Sequence, residues 1–321
     1  LNFVDIDFME HVDEYYVHEY IVTDLQRVRS ARESGSPADL KAYRGRWLCN
    51  ARGCRYECSY CGGCQSAHQA LAGRKGIVSR SPARMVEDLE RLVRGGVIQA
   101  SLSYDLSELG EAYWRDFLTR LRHSGVRIGL YNELFQLPKP EFIDEFVASV
   151  DMEHSCLALS PLSGSEDVRR LNGKFYNNDE LFRVLEHLNQ YNVSIFVYFS
   201  LNLPGEDDRT MRESVALAEK IYQYYPRSLL KILTSCHTMD PLAPMSVRPK
   251  KYGIETDMST FMDYYAYCRD TQLATSEART EAWRGFRPSD PDSRSLETMA
   301  DVWDRARRSR ESSWWPVPPG W

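Results

Sequence analysis

The sequence predicts an α/β fold: a partial, TIM-like (β/α)6 barrel with a helical lead-in before it and a mixed extension after it. Two observations carry this. Six short runs are rich in β-branched and aromatic residues, and stripes of apolar residues at helical spacing lie between them. Strands alternating with helices pair in parallel through right-handed crossovers, and six strands are too few to close an eight-stranded barrel. An open, doubly wound sheet is the competing architecture.

Residues 1–43 are acidic and aromatic (Phe8, Tyr15, Tyr16, Tyr20), then charged through Arg27–Glu33 and broken by Gly35-Ser36-Pro37. They read as an amphipathic helical lead-in and a linker. The barrel is expected over residues 44–235. Its strands are expected at Trp47–Asn50, Val97–Tyr104, Val126–Tyr131, Cys156–Leu159, Val193–Ser200 and Leu229–Thr234. Helical stripes separate them: Met85, Leu89, Leu92 and Val93; Tyr113, Trp114, Phe117 and Leu121; Phe142, Phe146 and Val147; Leu181, Val184 and Leu188; Met211, Ala216, Ala218 and Ile221. From Cys236 the rhythm dissolves into an extension, residues 236–321. Pro241, Pro244 and Pro249 break it, a helix is expected over Ser259–Leu273, and the tail from Trp314 is too rich in proline for helix.

With 46 acidic and 40 basic residues the net charge is −6. A nucleic-acid binder usually carries a basic surplus, so no nucleic-acid partner is expected. The basic groups at Arg120–His123 and Arg305–Arg310 read as solvated helix faces. No run of about eighteen apolar residues occurs, so no membrane span is expected. Eight cysteines would suit a disulfide framework in a small secreted domain. Here four crowd together at positions 54, 58, 61 and 64 of a long chain with no leader-like start, which fits metal ligation in the reducing cytoplasm better.

Those four lie in Cys54-Arg55-Tyr56-Glu57-Cys58-Ser59-Tyr60-Cys61-Gly62-Gly63-Cys64. Thiolates at this spacing on one loop select zinc, copper(I) or iron-sulfur centres. Four of them would close a tetrahedral zinc site, although zinc ribbons usually draw on a second knuckle far away in sequence, and none is present. A small ferredoxin-like carrier would also use four. Three ligands leave a cluster with an open position, as catalytic zinc sites keep one open. The loop is expected to follow the first strand directly, at the carboxyl ends of the strands, where barrels build active sites.

Cys54, Cys58 and Cys61, with Tyr60 before the last of them, resemble the signature of the radical S-adenosylmethionine (SAM) superfamily. The resemblance runs from about Arg44 to Ser235. It implies a 4Fe-4S cluster held by these three cysteines, whose fourth iron chelates SAM. Reduction then cleaves SAM to methionine and a 5′-deoxyadenosyl radical. Cys64 is then no ligand, either a bystander or a thiol that supports the ligands. Gly62 and Gly63 allow close backbone approach to SAM. Asp105 and Glu133 are acceptors for the methionine ammonium. The segment Leu159–Ser165 with Lys174 is similar to the fourth-strand segment of several subfamilies, where Lys174 would pair with the SAM carboxylate. Leu162 stands at its polar position and cannot hydrogen-bond, so Ser160 or Ser163 takes that contact. Asn202-Leu203-Pro204-Gly205-Glu206 resembles the adenine-supporting turn, and Tyr198 lies where relatives contact the ribose.

Arg44-Gly45-Arg46 and the residues before it resemble the linker from a cobalamin domain to its barrel. The resemblance implies methyl transfer to a small-molecule substrate as the leading reaction. A cobalamin domain needs over a hundred residues and about forty precede the barrel, which leaves cobalamin open. The alternatives are cobalamin-free radical chemistry (hydrogen abstraction, rearrangement, transfer of another SAM fragment) and a non-catalytic zinc or iron-sulfur module. A flavodoxin- or ferredoxin-type donor is the expected source of electrons. Cys236 and His237, after the sixth strand, are further candidates to face the substrate.

Overall fold

The computed structural model of the chain describes residues 21, 43–201, 203–235, 239–273, 285–289, 301–303 and 305–306. Strand β1 (Gly45–Leu48) leads into a hairpin of β2 (Ala51–Cys54) and β3 (Gly76–Ser79) that encloses helix α1 (Gln65–Ala72). Then come α2 (Pro82–Arg94), β4 (Gln99–Leu102), α3 (Glu111–Ser124), β5 (Gly129–Leu134) and α4 (Pro140–Ser149). β6 (Cys156–Leu162), α5 (Glu166–Leu171), α6 (Asn178–Gln190), β7 (Ile195–Ser200), α7 (Asp208–Tyr224) and β8 (Leu230–Ser235) follow. Beyond them lie α8 (Pro244–Val247), β9 (Ile254–Glu255), α9 (Phe261–Leu273) and β10 (Arg287–Pro288).

Six strands form one sheet in the order β1-β4-β5-β6-β7-β8, every neighbouring pair parallel. Spatial order equals chain order, so there is no switch point and the sheet is singly wound. Same-handed crossovers then put all the helices on one face and leave the other as a concave interior. The alternation of side chains agrees. Leu130, Leu157, Leu159, Ile195, Val197 and Ile232 point outward into the large core shared with α2, α3, α4, α6 and α7. Tyr131, Cys156, Ala158 and Phe196 form a separate cluster on the inner face.

Local signals start the helices where they are needed. Ser81 caps α2 by accepting from Arg84 N–H, with Pro82 in the first turn, and α6 and α7 open with reciprocal capping boxes, Asn177/Glu180 and Asp207/Thr210. At the amino-terminal end of the barrel, the Gln99 amide brackets the backbone of Ile21, accepting from its N–H at 2.6 Å and donating to its carbonyl at 2.7 Å. The rest of the expected lead-in lies outside the described residues, as does the tail from Trp314. Trp303, within the expected extension, packs into the barrel core: it is 1% exposed and its ring lies 5.2 Å from Phe199.

Two features depart from the expected elements. β2, paired antiparallel with β3 from beyond the loop, stands between the first barrel strand and the cysteine loop, so that loop does not follow β1 directly. β6 runs on to Leu162 through a register shift after Leu159. Pro161 has no N–H to give the ladder there, and Leu162 takes a φ of 66°. Among the described residues, no helix is long and apolar enough to cross a membrane.

Candidate active site

The hairpin works as a flap that carries the cysteines. Cys54 ends β2 opposite Gly76, Cys58 and Cys61 follow in tight turns, and Cys64 is the N-cap residue of α1. Backbone bonds wind the loop: Cys61 N–H donates to the Cys58 carbonyl at 3.1 Å, and Gln65 N–H to the Tyr56 carbonyl at 2.9 Å. The flap is tied to the barrel by Asn50, whose amide donates to the Tyr104 carbonyl at 2.8 Å and accepts from Tyr104 N–H at 2.9 Å.

Three contacts press the loop from outside it. A Cβ on Gly173 would stand 2.8 Å from both Cα and Sγ of Cys58, and Gly173 has a φ of +92°, so no other residue fits this close approach. Gly62 N–H donates to an Asp240 carboxylate oxygen at 3.0 Å, and a Cβ on Gly62 would lie 2.7 Å from the Pro241 carbonyl. Met245 N–H donates to the Ser59 carbonyl at 2.9 Å. The extension therefore backs the loop.

Burial pushes the bare Cys54 and Cys58 thiols up, and Cys61 up to about 12. Each of the three lies within electrostatic reach of another, and the Lys174 ammonium pulls back on Cys58. Beside Cys54 stands the Tyr104 hydroxyl, buried and without a hydrogen-bond partner of normal geometry. A thiolate ligand at Cys54 would satisfy that donor. Among the described residues no three Cys, His, Asp or Glu side chains stand close enough together to hold a metal ion, the three cysteines included. Cys64 is 1% exposed, and its sulfur lies 3.3 Å from the Ser66 hydroxyl.

Of the expected SAM contacts, several line the barrel interior beside the loop. Glu133, on β5, is exposed there and accepts only from the Ser160 hydroxyl, at 3.1 Å, among described residues. The hydroxyls of Tyr198 and Tyr131 are 3.4 Å apart. Tyr60 packs among Leu162, Val168 and Leu203 and lies within electrostatic reach of Cys58, Cys61 and Glu133. Lys174, 4% exposed, donates to the Phe135 carbonyl at 2.7 Å. Gly63 N–H donates to Cys61 Sγ at 3.3 Å.

Two expected contacts point elsewhere. Asp105 is a cap, 1% exposed: its carboxylate accepts from Phe135 N–H at 2.7 Å, Ser107 N–H at 2.9 Å and the Ser107 hydroxyl at 2.7 Å. Burial pushes this carboxyl up to about 7 against those bonds. Ser163 is fully buried with its hydroxyl 3.2 Å from that of Ser214 on α7, because the β6 bulge turns it away from the interior. Asn202, Cys236 and His237 lie outside the described residues.

The residue that sequence reasoning missed is Asn172. Its buried amide takes the Ser59 hydroxyl on one side and donates to the Pro204 carbonyl at 2.9 Å on the other. An Asn-Gly pair reads as turn chemistry, so nothing marked it.

A model of the Radical SAM superfamily matches residues 51–218, a little over half of the chain. Over 190 residues the chain is 27% identical to the tRNA-2-methylthio-N(6)-dimethylallyladenosine synthase of Mycobacterium bovis (strain ATCC BAA-935 / AF2122/97), covering 54% of this chain and 36% of that protein. It thus spans well under half the length of such curated relatives. The cobalamin- and [4Fe-4S]-bound radical SAM methyltransferase TsrM from Kitasatospora setae superposes with a TM-score of 0.54 at 16% identity, over 69% of this chain and 44% of that one. The cobalamin-dependent SAM radical enzyme OxsB does so with a TM-score of 0.52 at 10% identity, over 84% and 42%. At such identities these two structures speak for the fold. The chain belongs to the radical SAM superfamily, whose cofactors are a 4Fe-4S cluster and S-adenosylmethionine.

Proposed function

We propose that this chain is a radical SAM group transferase, methyl transfer its leading reaction, in which Cys54, Cys58 and Cys61 hold the cluster. The observation that carries the reading is the cysteine flap: half-buried thiols lie within reach of one another, with Gly173 cradling Cys58 and the buried Tyr104 hydroxyl beside Cys54. When bound and reduced, the cluster supplies the electron that cleaves SAM to methionine and a 5′-deoxyadenosyl radical. The chain's own part is placement. Gly63 leaves room for SAM beside the loop, whereas the absent side chain of Gly62 is used by Asp240 and Pro241, and Lys174 holds a positive charge beside Cys58 for the SAM carboxylate. Glu133, Ser160 and Tyr198 offer polar contacts along the inner wall, and Tyr60 covers it from the loop side. In this reading residues 44–235 are the catalytic barrel, residues 236–321 back it, and a reducing cytoplasmic setting keeps the thiols free to ligate.

Cobalamin use, for which the linker-like Arg44-Gly45-Arg46 is the ground, is part of the proposal and is tested by the cobalt count below. A small molecule held in the interior is the first substrate reading. A tRNA substrate is the second. It is favoured by the curated relatives' name and by Arg52, Arg74 and Lys75 on the flap, exposed and without an ion pair among the described residues.

The test is an anaerobic assay of the reconstituted protein for 5′-deoxyadenosine after addition of SAM and dithionite, with iron, zinc and cobalt counted on the same sample. About four irons and deoxyadenosine formation are expected. Zinc without iron, or a cluster that never cleaves SAM, overturns the reading. Lys174→Ala should weaken SAM binding about tenfold, the scale of one lost charged hydrogen bond, with iron content unchanged. Titration calorimetry that finds wild-type affinity would remove Lys174 from the site.

A further inference from the structure

Asn172 joins the two halves of the site without lying at the centre of either. It follows α5 and is fully buried, where an amide must find partners for its donors and acceptor. Its carbonyl oxygen accepts from Ser59, the residue between Cys58 and Tyr60. Its amide nitrogen donates to the Val168 carbonyl at 2.8 Å and the Pro204 carbonyl at 2.9 Å. One side chain thus spans the cysteine loop, α5 and the Leu203–Glu206 turn.

The span is held taut on both sides. Ser59 is itself fully buried, and its carbonyl takes Met245 N–H. Gly173, the next residue, abuts Cys58, and its carbonyl accepts from the Gln136 amide at 2.8 Å. Lys174 after it is fixed to Phe135. The turn closes on itself through Leu203 N–H, which donates to a Glu206 carboxylate oxygen at 2.8 Å. A displacement of the turn relative to the cluster loop therefore has to break a bond to Asn172.

We propose that Asn172 is a positioning residue that fixes the separation between the cluster loop and the Leu203–Glu206 turn, so that SAM bound by one is held in register with the other. The inference rests on the function proposed above. It asks for no contact between Asn172 and cluster or SAM. A mere cap for α5 would need the Val168 bond alone; the arms to Ser59 and Pro204 are what a spacer needs.

The experiment compares Ser59→Ala, Ser59→Thr, Asn172→Ala and wild type, each reconstituted anaerobically. Ser59→Ala removes one arm and leaves the cap bond in place, so it keeps the test open where Asn172→Ala fails to fold. Ser59→Ala is expected to hold wild-type iron and sulfide but to bind SAM about tenfold more weakly, the scale of a lost buried hydrogen bond. The electron paramagnetic resonance spectrum of its reduced, SAM-bound cluster should shift as well. Ser59→Thr restores the hydroxyl and should restore both. Wild-type SAM affinity and an unshifted spectrum in a fully loaded Ser59→Ala overturn the spacer role and leave the proposed function standing. A wild-type protein that binds no cluster or no SAM overturns both. Reduced iron loading with unchanged SAM affinity of the loaded fraction assigns Asn172 to folding alone and also overturns the spacer role.

Discussion

Cys58→Ala is expected to leave the reconstituted protein without its cluster and without deoxyadenosine formation, while Cys64→Ala keeps both. The two thiols are six residues apart on one loop, yet their surroundings differ in kind. Cys58 lies half-buried against Gly173 and near the Lys174 ammonium, within electrostatic reach of Cys54, Cys61 and Cys64 alike. Three sulfurs are the minimum that holds three irons and leaves one open, so loss of the middle one removes the centre rather than weakening it. Cys64 sits instead at the start of α1, almost wholly buried, with its sulfur beside the Ser66 hydroxyl. Alanine there removes a small buried side chain and no ligand. Iron and sulfide analysis with a deoxyadenosine assay on both variants decides the matter. A Cys64→Ala protein that loses its cluster would show that four cysteines serve the centre and that no iron is open for SAM.

What was legible in the sequence is what local chemistry determines. β-branched runs such as Val193–Ser200 place a buried strand whatever surrounds it; β1 (Gly45-Arg46-Trp47-Leu48) has no β-branched residue, and its expected range, Trp47–Asn50, overlaps it by two residues. The flap was not legible. Ala51–Cys54 and Gly76–Ser79 are four residues each, mixed in polarity, and their pairing is set by the barrel beneath them. The site divides along the same line. Clustered cysteines announce a centre by type and spacing, whereas the direction of a hydroxyl depends on the backbone that carries it. Ser160 and Ser163 look equivalent in sequence, but the bulge between Leu159 and Leu162 sends one toward Glu133 and the other toward α7. Asp105 shows the same limit: an Asp two residues before a serine is ordinary cap chemistry, and only tertiary contact shows that its second oxygen also accepts from Phe135 N–H.

Asp88→Ala is expected to destabilise the protein by about 3–5 kcal/mol, the cost of leaving a buried charge without its partner. Arg80 and Asp88 are both fully buried and paired through Arg80 Nη2. The pair lies where the flap returns to the barrel. Arg80 N–H donates to the Asn50 carbonyl at 2.9 Å, and the Arg80 carbonyl accepts from the Tyr113 hydroxyl at 2.7 Å. Removing the carboxylate strands the guanidinium at the hinge that holds the cysteine loop over the barrel. That loss is a large share of the roughly 5–15 kcal/mol that keeps a domain folded. The double variant Arg80→Met with Asp88→Leu should recover most of it, because two apolar side chains of similar volume need no partners. Urea unfolding of the three proteins measures this directly. A single variant within about 1 kcal/mol of wild type, the range of an exposed pair, would mean that water reaches Arg80 and that the flap hinge is not sealed.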